Sequence, residues 1–360
     1  MVWLNKHSQT YLALQKFKRN FWGVSSFVYV VLISLVAILA YIIAPDNSVN
    51  ANQMALSIHS KPPGFKAKGF YKTAVVNENS TWFLTGKSAS AEFVPIENYQ
   101  LKNDSLFYNT YGISQTKFDQ VIPLNKIKSK NSSIIHKQTY WLGTDKYGRD
   151  LLSRLLIGSR ISLSIGFVAV FISLLIGISL GAIAGYFGGK VDQAIMWLIN
   201  VTWSIPTLLL VIAITLVLGK GFWQVFIAVG LTMWVEVARV VRGQFISLKN
   251  EQYIIAAKTL GLSHRSIMFK HILPNAIAPV IVISAANFAA AILIESGLSF
   301  LGIGAQPPIP SWGAMIKDHY SYIIVGKAYL AIIPGLAIMS LVMAFMLIGN
   351  ALRDALDVKS

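Results

Sequence analysis

The sequence predicts an all-α polytopic membrane protein of six transmembrane helices, with a small, partly β extracytoplasmic insert after helix 1. Three observations carry that expectation. Of 360 residues, 54% are apolar and only 13% charged, against about a quarter charged in soluble chains. Six charge-free runs, at 20–45, 161–189, 193–219, 221–235, 272–294 and 328–352, recur along the chain, and roughly 20 apolar helical residues cross a hydrocarbon core. Between the first two runs lies one long polar stretch, 45–156, with fourteen Lys/Arg and eight Asp/Glu.

The first run follows Lys16, Lys18 and Arg19. It is longer than a signal-peptide core, and no small-x-small cleavage site follows Ala44, so it is read as a span over 24–44 after an arm over 1–23. That arm carries Lys6, Lys16, Lys18 and Arg19 without an acid, which places it in the cytoplasm. Six spans return the C-terminus to the same side. The short cytoplasmic segments then hold thirteen Lys/Arg, and the short outer loops hold three, Lys220, Lys317 and Lys327. Lys146, Arg149, Arg154 and Arg160 flank the second span on the opposite side, but long translocated segments carry little weight in this rule.

Within the insert, 81–84, 91–96 and 133–142 lean towards β-structure between Asn, Ser, Lys and Gly. A mostly disordered insert is the alternative. The remaining spans belong to a core over 157–355, ahead of a tail over 356–360. In the second span Ser173, Gly177, Gly181 and Gly185 recur every four residues, giving one small-residue face for a closely packed helix. Its partner is either another subunit or a helix of the same chain. Pro206 is expected to kink the third span. The fourth run is the shortest, and spans only if it extends to about residue 238 with Glu236 near its end.

Glu295 lies in an otherwise uncharged stretch over 272–315. An ionised carboxylate at membrane depth costs several kcal/mol unless paired or wet. Glu295 therefore either lines a pathway or ties the fifth span to a neighbour, unless delayed helix entry leaves it near the outer surface.

The loop over 239–275, RVVRGQFISLKNEQYIIAAKTLGLSHRSIMFKHILPN, is too apolar and regular for a solvated connection. Residues 251–260 favour helix, Gly261 suits a left-handed C-cap, Ser263 can N-cap a second short helix, and Pro274 is expected to end it. Ile254, Ile255, Leu260, Ile267 and Met268 must pack on the bundle or on a partner.

The chain has no Cys, and its six His never fall four residues apart as on a metalloprotease helix. Gly86-Lys87-Ser88 mimics the end of a P-loop, but Thr81 stands where its first glycine is required. No catalytic, cofactor-binding or metal-binding residues are expected, and the chain is not expected to hydrolyse ATP. A secondary transporter is the alternative reading. It would show repeated broken helices or several intramembrane ionisable groups, and the sequence offers neither.

Ala256, Ala257, Gly261, Leu273 and Pro274 match the spacing of a family signature, Glu-Ala-Ala, three residues, Gly, nine residues, then Ile-x-Leu-Pro. The chain thereby resembles the inner-membrane permease subunits of binding-protein-dependent ABC importers. It departs from them at Ile255, where the signature has Glu, and at His271, where it has Ile, while Glu251 lies one turn upstream. Blocks over 141–150 (WLGTDKYGRD), 241–244 (VRGQ), 298–304 (LSFLGIG), 306–308 (QPP) and 311–313 (SWG) are similar to the C-type subunit of dipeptide/oligopeptide permeases.

That resemblance implies a type I ABC importer permease fold. It implies a coupling loop, with Glu251, Ala256, Ala257, Gly261, Leu273 and Pro274, that docks on an ATPase subunit. The implied partners are a second permease subunit of the B type, two ATPase subunits using ATP and Mg, and an extracytoplasmic peptide-binding protein, at a bacterial cytoplasmic (inner) membrane. Dipeptides, oligopeptides, nickel complexes, glutathione and peptide antibiotics all fall within the family's range. Residues 50–135 lie largely outside the resemblance.

Overall fold

The computed structural model describes residues 9–72, 82–87, 92–112, 117–127, 133–219 and 221–356. In chain order these form α1 (Gln9–Arg19), α2 (Phe21–Ile38), α3 (Ala40–Ile43), β1 (Phe65–Tyr71), α4 (Trp82–Thr85), β2 (Phe93–Lys102), β3 (Ser105–Thr110), β4 (Gln120–Pro123) and β5 (His136–Tyr140). There follow α5 (Leu151–Phe187), α6 (Gly189–Ser204), α7 (Thr207–Leu218), α8 (Phe222–Leu248) and α9 (Gln252–Thr259). The last helices are α10 (His264–Leu301), α11 (Trp312–His319) and α12 (Tyr329–Leu356). The chain divides into two compact units, one of 1–32, 162–306 and 338–360, the other of 33–161 and 307–337.

In the first unit the helices α8 and α10 join parts of α2, α5 and α12; these five are each long and apolar enough to cross a membrane. The bent pair α6 and α7 brings the number of spans to as many as six. The third run is not the single kinked helix expected from sequence, because the axis turns by 92° between α6 and α7. Ile205, before proline, is extended (φ −94°, ψ 127°), and Pro206 caps α7 without an N–H to offer α6. The fourth run, the shortest in the sequence, instead lies within the 27-residue α8. Its polar second half is accommodated: Arg242 Nε and Nη2 donate to the two carboxylate oxygens of Asp192 in α6 at 2.5 and 2.6 Å.

The small-residue face of α5 packs on α8 of the same chain. A Cβ added at Gly177 would sit 2.5 Å from Val237 Cβ, one at Gly181 2.5 Å from the Ala238 carbonyl, and one at Gly185 2.6 Å from Phe245 Cβ. Ser173 is buried one turn earlier and turns its hydroxyl to the Val170 carbonyl at 3.0 Å. Backbones approach this closely only where side chains are absent, and in lipid such packing replaces the hydrophobic drive between helices.

The second unit holds a five-stranded antiparallel sheet in the order β4-β3-β2-β1-β5. Asn103 and Asp104, both at positive φ, turn β2 directly into β3. Phe70, Ile96, Leu106 and Ile122 form one buried cluster, and Ile58, Ala67, Phe93 and Tyr140 another. Of the β-leaning stretches, 91–96 contributes to β2 and 133–142 contains β5, although Ala91 lies outside the described residues. Thr81 also lies outside them, and Trp82–Thr85 is a helical turn rather than a strand. So short an apolar run has no period to read, and here the Gly86 N–H closes on the Trp82 carbonyl at 2.8 Å.

β1 and β5 are neighbours, with Phe65 opposite Tyr140, so the sheet leaves and returns to adjacent positions. Residues 46–61, by contrast, are interlocked with the block over 141–154. Arg149 Nη1 donates to Asn52 Oδ1 at 2.8 Å, Arg154 Nη1 to the Asn50 carbonyl at 3.3 Å, and the Lys61 N–H to Thr144 Oγ1 at 2.9 Å. Replacing 66–139 by a short Gly/Ser linker is therefore expected to leave a chain that inserts and copurifies with its partners. A deletion beginning at residue 50 should not, since it removes the Asn52 and Asn50 acceptors of two buried arginines and leaves Asp145 to serve both. Equal recovery of both deletions in detergent-solubilised complex would refute the distinction.

Two blocks about 170 residues apart in sequence meet in this unit. Asp145 is fully buried, accepting from the Tyr147 and Arg149 N–H groups at 2.8 and 2.9 Å and pairing with Arg149 Nε at 2.6 Å. Trp312 Nε1 donates to the Leu155 carbonyl at 2.9 Å, and Lys146 Nζ pairs with Asp318 at 3.0 Å. His319 lies between Met315 O, 2.7 Å from Nδ1, and the Lys146 N–H, which donates to Nε2 at 3.4 Å.

Burial lowers the His319 pKa from its ordinary value, against the Met315 hydrogen bond and the nearby Asp145 and Asp318. A depressed histidine pKa means that the unfolded chain takes up the proton first as pH falls below about 6.5. Stability that is full above that pH should thus fall by up to about 1.4 kcal/mol per pH unit until the folded histidine also protonates. The difference in melting temperature between pH 7.5 and 5.5 should shrink in His319→Gln; an unchanged difference would remove His319 as its source.

Candidate functional site

The loop that sequence marks as a coupling element is built from two arms on an elbow. α8 ends at Leu248, and Glu251 sits at the N-cap position of α9 with extended backbone, its carboxylate making no cap hydrogen bond. α9 ends in a Schellman arrangement, the Leu262 N–H reaching the Ala257 carbonyl at 3.2 Å and the Gly261 N–H the Lys258 carbonyl at 3.0 Å. Gly261 has φ +76°. Ser263 Oγ then accepts from the Ser266 N–H at 3.4 Å and starts the second arm.

Pro274 does not end that arm. The helix runs on into α10 through a π-turn at Ile267–Ile272, and Pro274 falls in the first turn of the regular segment beyond it. A proline N lacks the hydrogen for an i−4 bond and crowds that carbonyl, and the wider π-turn absorbs both. Asn275 Nδ2 takes the His271 carbonyl at 2.7 Å and approaches Tyr253 Oη at 3.3 Å, which ties the two arms together.

Apolar residues divide between two faces. Ile254, Ala257, Ile267, Met268 and Ile272 are buried against Val237, Val241 and Phe245 of α8, and Leu273 packs on the edge of that cluster. Tyr253, Ile255 and Leu260 point the other way, at 44%, 52% and 80% exposure. Ala256 and Gly261 lie on the open side with Glu251, and space around Gly261 is empty. Ala257 faces the bundle, so of the small residues in the implied coupling loop Ala256 and Gly261 lie on the open surface. Lys258, Arg265 and Lys270 are exposed around this surface.

Glu295 lies near the other end of α10 and is 1% exposed. Ser299 Oγ donates to its Oε1 at 2.6 Å and accepts from the Ala305 N–H at 3.2 Å. The 298–304 block folds back there, with the Ile303 and Gly304 N–H groups both on the Leu298 carbonyl. A cavity of about 580 Å³ lies elsewhere, between α8, α10 and α12, lined by Val240, Pro279, Val282, Met346, Asn350 and Arg353. The Asp192–Arg242 pair, Asn275 and Tyr186, described below, escaped sequence reasoning. Asp192, an isolated acid between two apolar runs, was the one local signal. Among the described residues no cluster of His, Asp and Glu could hold a metal ion.

Residues 177–359, from the α5 glycines through the elbow and α12, match the binding-protein-dependent transport system inner membrane component. The chain belongs to this family. Residues 8–63 separately match the N-terminal transmembrane domain of oligopeptide transport permease C. The dipeptide transport system permease protein of Alkalihalophilus pseudofirmus is 38% identical over 247 residues, covering 69% of this chain and 79% of the relative. The glutathione transport system permease protein of Pectobacterium atrosepticum is 42% identical over 220 residues, covering 61% and 73%. The oligopeptide transport system permease protein of Bacillus subtilis is 40% identical over 220 residues, covering 61% and 72%. This chain is accordingly a membrane-spanning permease subunit of a binding-protein-dependent importer, as the sequence resemblance implied. The sheet from Phe65 to Tyr140 lies between the two matched regions.

Proposed function

We propose that this permease subunit carries short peptides across the cytoplasmic membrane, and that residues 251–274 couple it to an ATPase subunit. The observation that supports the coupling role most is the division of apolar residues at the elbow. Ile254 and Ala257 anchor α9 while Leu260 and Ile255 stand exposed at 80% and 52%, an arrangement that suits a docking surface. The elbow surface is also cationic, with Lys258, Arg265 and Lys270 able to meet an acidic groove rim. Dipeptide, oligopeptide and glutathione permeases among the relatives support a peptide substrate.

The assembly would comprise a B-type permease subunit, two ATPase subunits that use ATP and Mg, and an extracytoplasmic binding protein. This chain would supply half the pathway. Closure of the ATPase pair on ATP would move both elbows and switch access. Both termini and the elbow would be cytoplasmic, and the sheet outside. Glu295, through Ser299, would brace the end of α10 rather than meet substrate.

The Cys-free chain allows a direct topological test. Ser88, a natural outside probe, lies outside the described residues. Lys102, at the exposed end of β2, serves instead. Lys102→Cys should react with an impermeant maleimide on intact spheroplasts, whereas Ser263→Cys should react only after lysis. The inverse pattern would put the elbow outside and end the coupling reading.

A further inference from the structure

We propose that Tyr186, at the end of α5, is the positioning residue that locks the coupling elbow to the bundle through its phenol hydroxyl. The proposal rests on residues 251–274 being the coupling element. Gly185 fixes the helix end, since its missing side chain lets α5 close to within van der Waals contact of α8 at Phe245. Tyr186, the next residue, is 3% exposed and reaches the elbow on both sides of Gly261.

Its hydroxyl lies 2.8 Å from His264 Nδ1, at the start of the second arm. Its ring stands 5.6 Å from the His264 ring at 70°. Ahead of the elbow, Lys249 Nζ donates to the Tyr186 carbonyl at 2.5 Å, taking up one of the orphaned carbonyls in the last turn of α5. On α9, Lys258 Nζ sits 5.8 Å from the ring centroid. One residue thus meets the linker before α9 through its carbonyl, and α9 and the arm after the elbow through its side chain.

The apolar cluster under the elbow is non-directional and permits sliding, whereas the phenol–imidazole bond fixes one register. Packing alone would be served by phenylalanine. The hydroxyl is therefore the part with a function of its own: it makes α5 and the second arm move together when the elbow is displaced.

The test uses the complete complex, with both permeases, the ATPase subunits and the binding protein as isolated from cells, reconstituted in liposomes. The readout is the stimulation of ATP hydrolysis by the binding protein. Tyr186→Phe should cut that stimulation about fivefold, the equivalent of one net hydrogen bond, with ATPase subunits still copurifying at the wild-type ratio. His264→Ala should do the same, and the double variant should lose nothing further. His264→Gln, whose amide can still meet the hydroxyl, should retain most of the stimulation.

Full stimulation in Tyr186→Phe, or additive losses in the double variant, would overturn the proposal. Loss of the complex itself in Tyr186→Phe would make the hydroxyl a folding contact and overturn it equally. If Gly261→Val uncouples while Tyr186→Phe does not, only this lock fails. If Gly261→Val also keeps full coupling, the coupling element itself lies elsewhere.

Discussion

Gly181→Leu is expected to reduce the chain in the membrane at least tenfold, with no complex recovered. The Cβ alone would lie 2.5 Å from the Ala238 carbonyl oxygen and 2.9 Å from Val241 Cβ. The first of these is backbone in the middle of α8 and cannot swing aside as a flexible side chain can. Relief requires α5 and α8 to separate along the whole stripe, because Gly177 and Gly185 hold the same two helices one turn away on either side. Overpacking typically costs about 1–3 kcal/mol where neighbours can shift, and three linked contacts place this site at or above that range. In lipid, separated helices gain no hydrophobic compensation. Gly243→Leu on α8 is the control, since a Cβ there meets nothing within 4 Å. Immunoblots of membrane fractions decide the matter, and equal levels of the two variants would show that α5 and α8 do not pack in this register.

Gly261→Val should give the opposite phenotype, normal membrane levels with substrate-stimulated ATP hydrolysis and uptake lost. Nothing lies within 4 Å of a Cβ at this position, so no clash is involved. The cost is conformational: φ is +76°, and a β-branched residue there is strained by on the order of 1–3 kcal/mol. A six-helix bundle tolerates that much, yet it equals typical coupling free energies between sites. Relaxation of the strained elbow would break the Leu262–Ala257 and Gly261–Lys258 bonds and tilt Leu260 and Ile255 out of the proposed docking position. Gly261→Asn, which accepts left-handed backbone more readily, should keep a substantial part of the activity. Transport and ATPase binding retained in full by Gly261→Val would favour α9 lying on lipid headgroups instead.

The elbow itself was legible because its determinants are local. Gly261 and Ser263 act through hydrogen bonds to residues within five positions. The fate of Pro274 was not legible in the same way. Whether a proline ends a helix or is absorbed depends on the π-turn before it, and that turn is held by Ile267, Met268 and Ile272 packing on α8. The same holds for Ala257, which reads as a small residue on a docking face but is turned inward by the cluster beneath it.

The sequence by itself determined that this chain crosses a membrane, roughly where it does so, and that one loop carries a glycine elbow. Transfer into hydrocarbon adds up residue by residue along a run, and capping bonds close within a turn, so neither needs a distant partner. Only the tertiary structure decided that α8 fills the glycine stripe of α5, and that the sheet closes Phe65 on Tyr140. It alone brought His319 to Lys146 and Tyr186 to His264. Each of these is a meeting of residues roughly 60 to 170 positions apart, whose free energy depends on both surfaces at once, and no property of either segment alone encodes it.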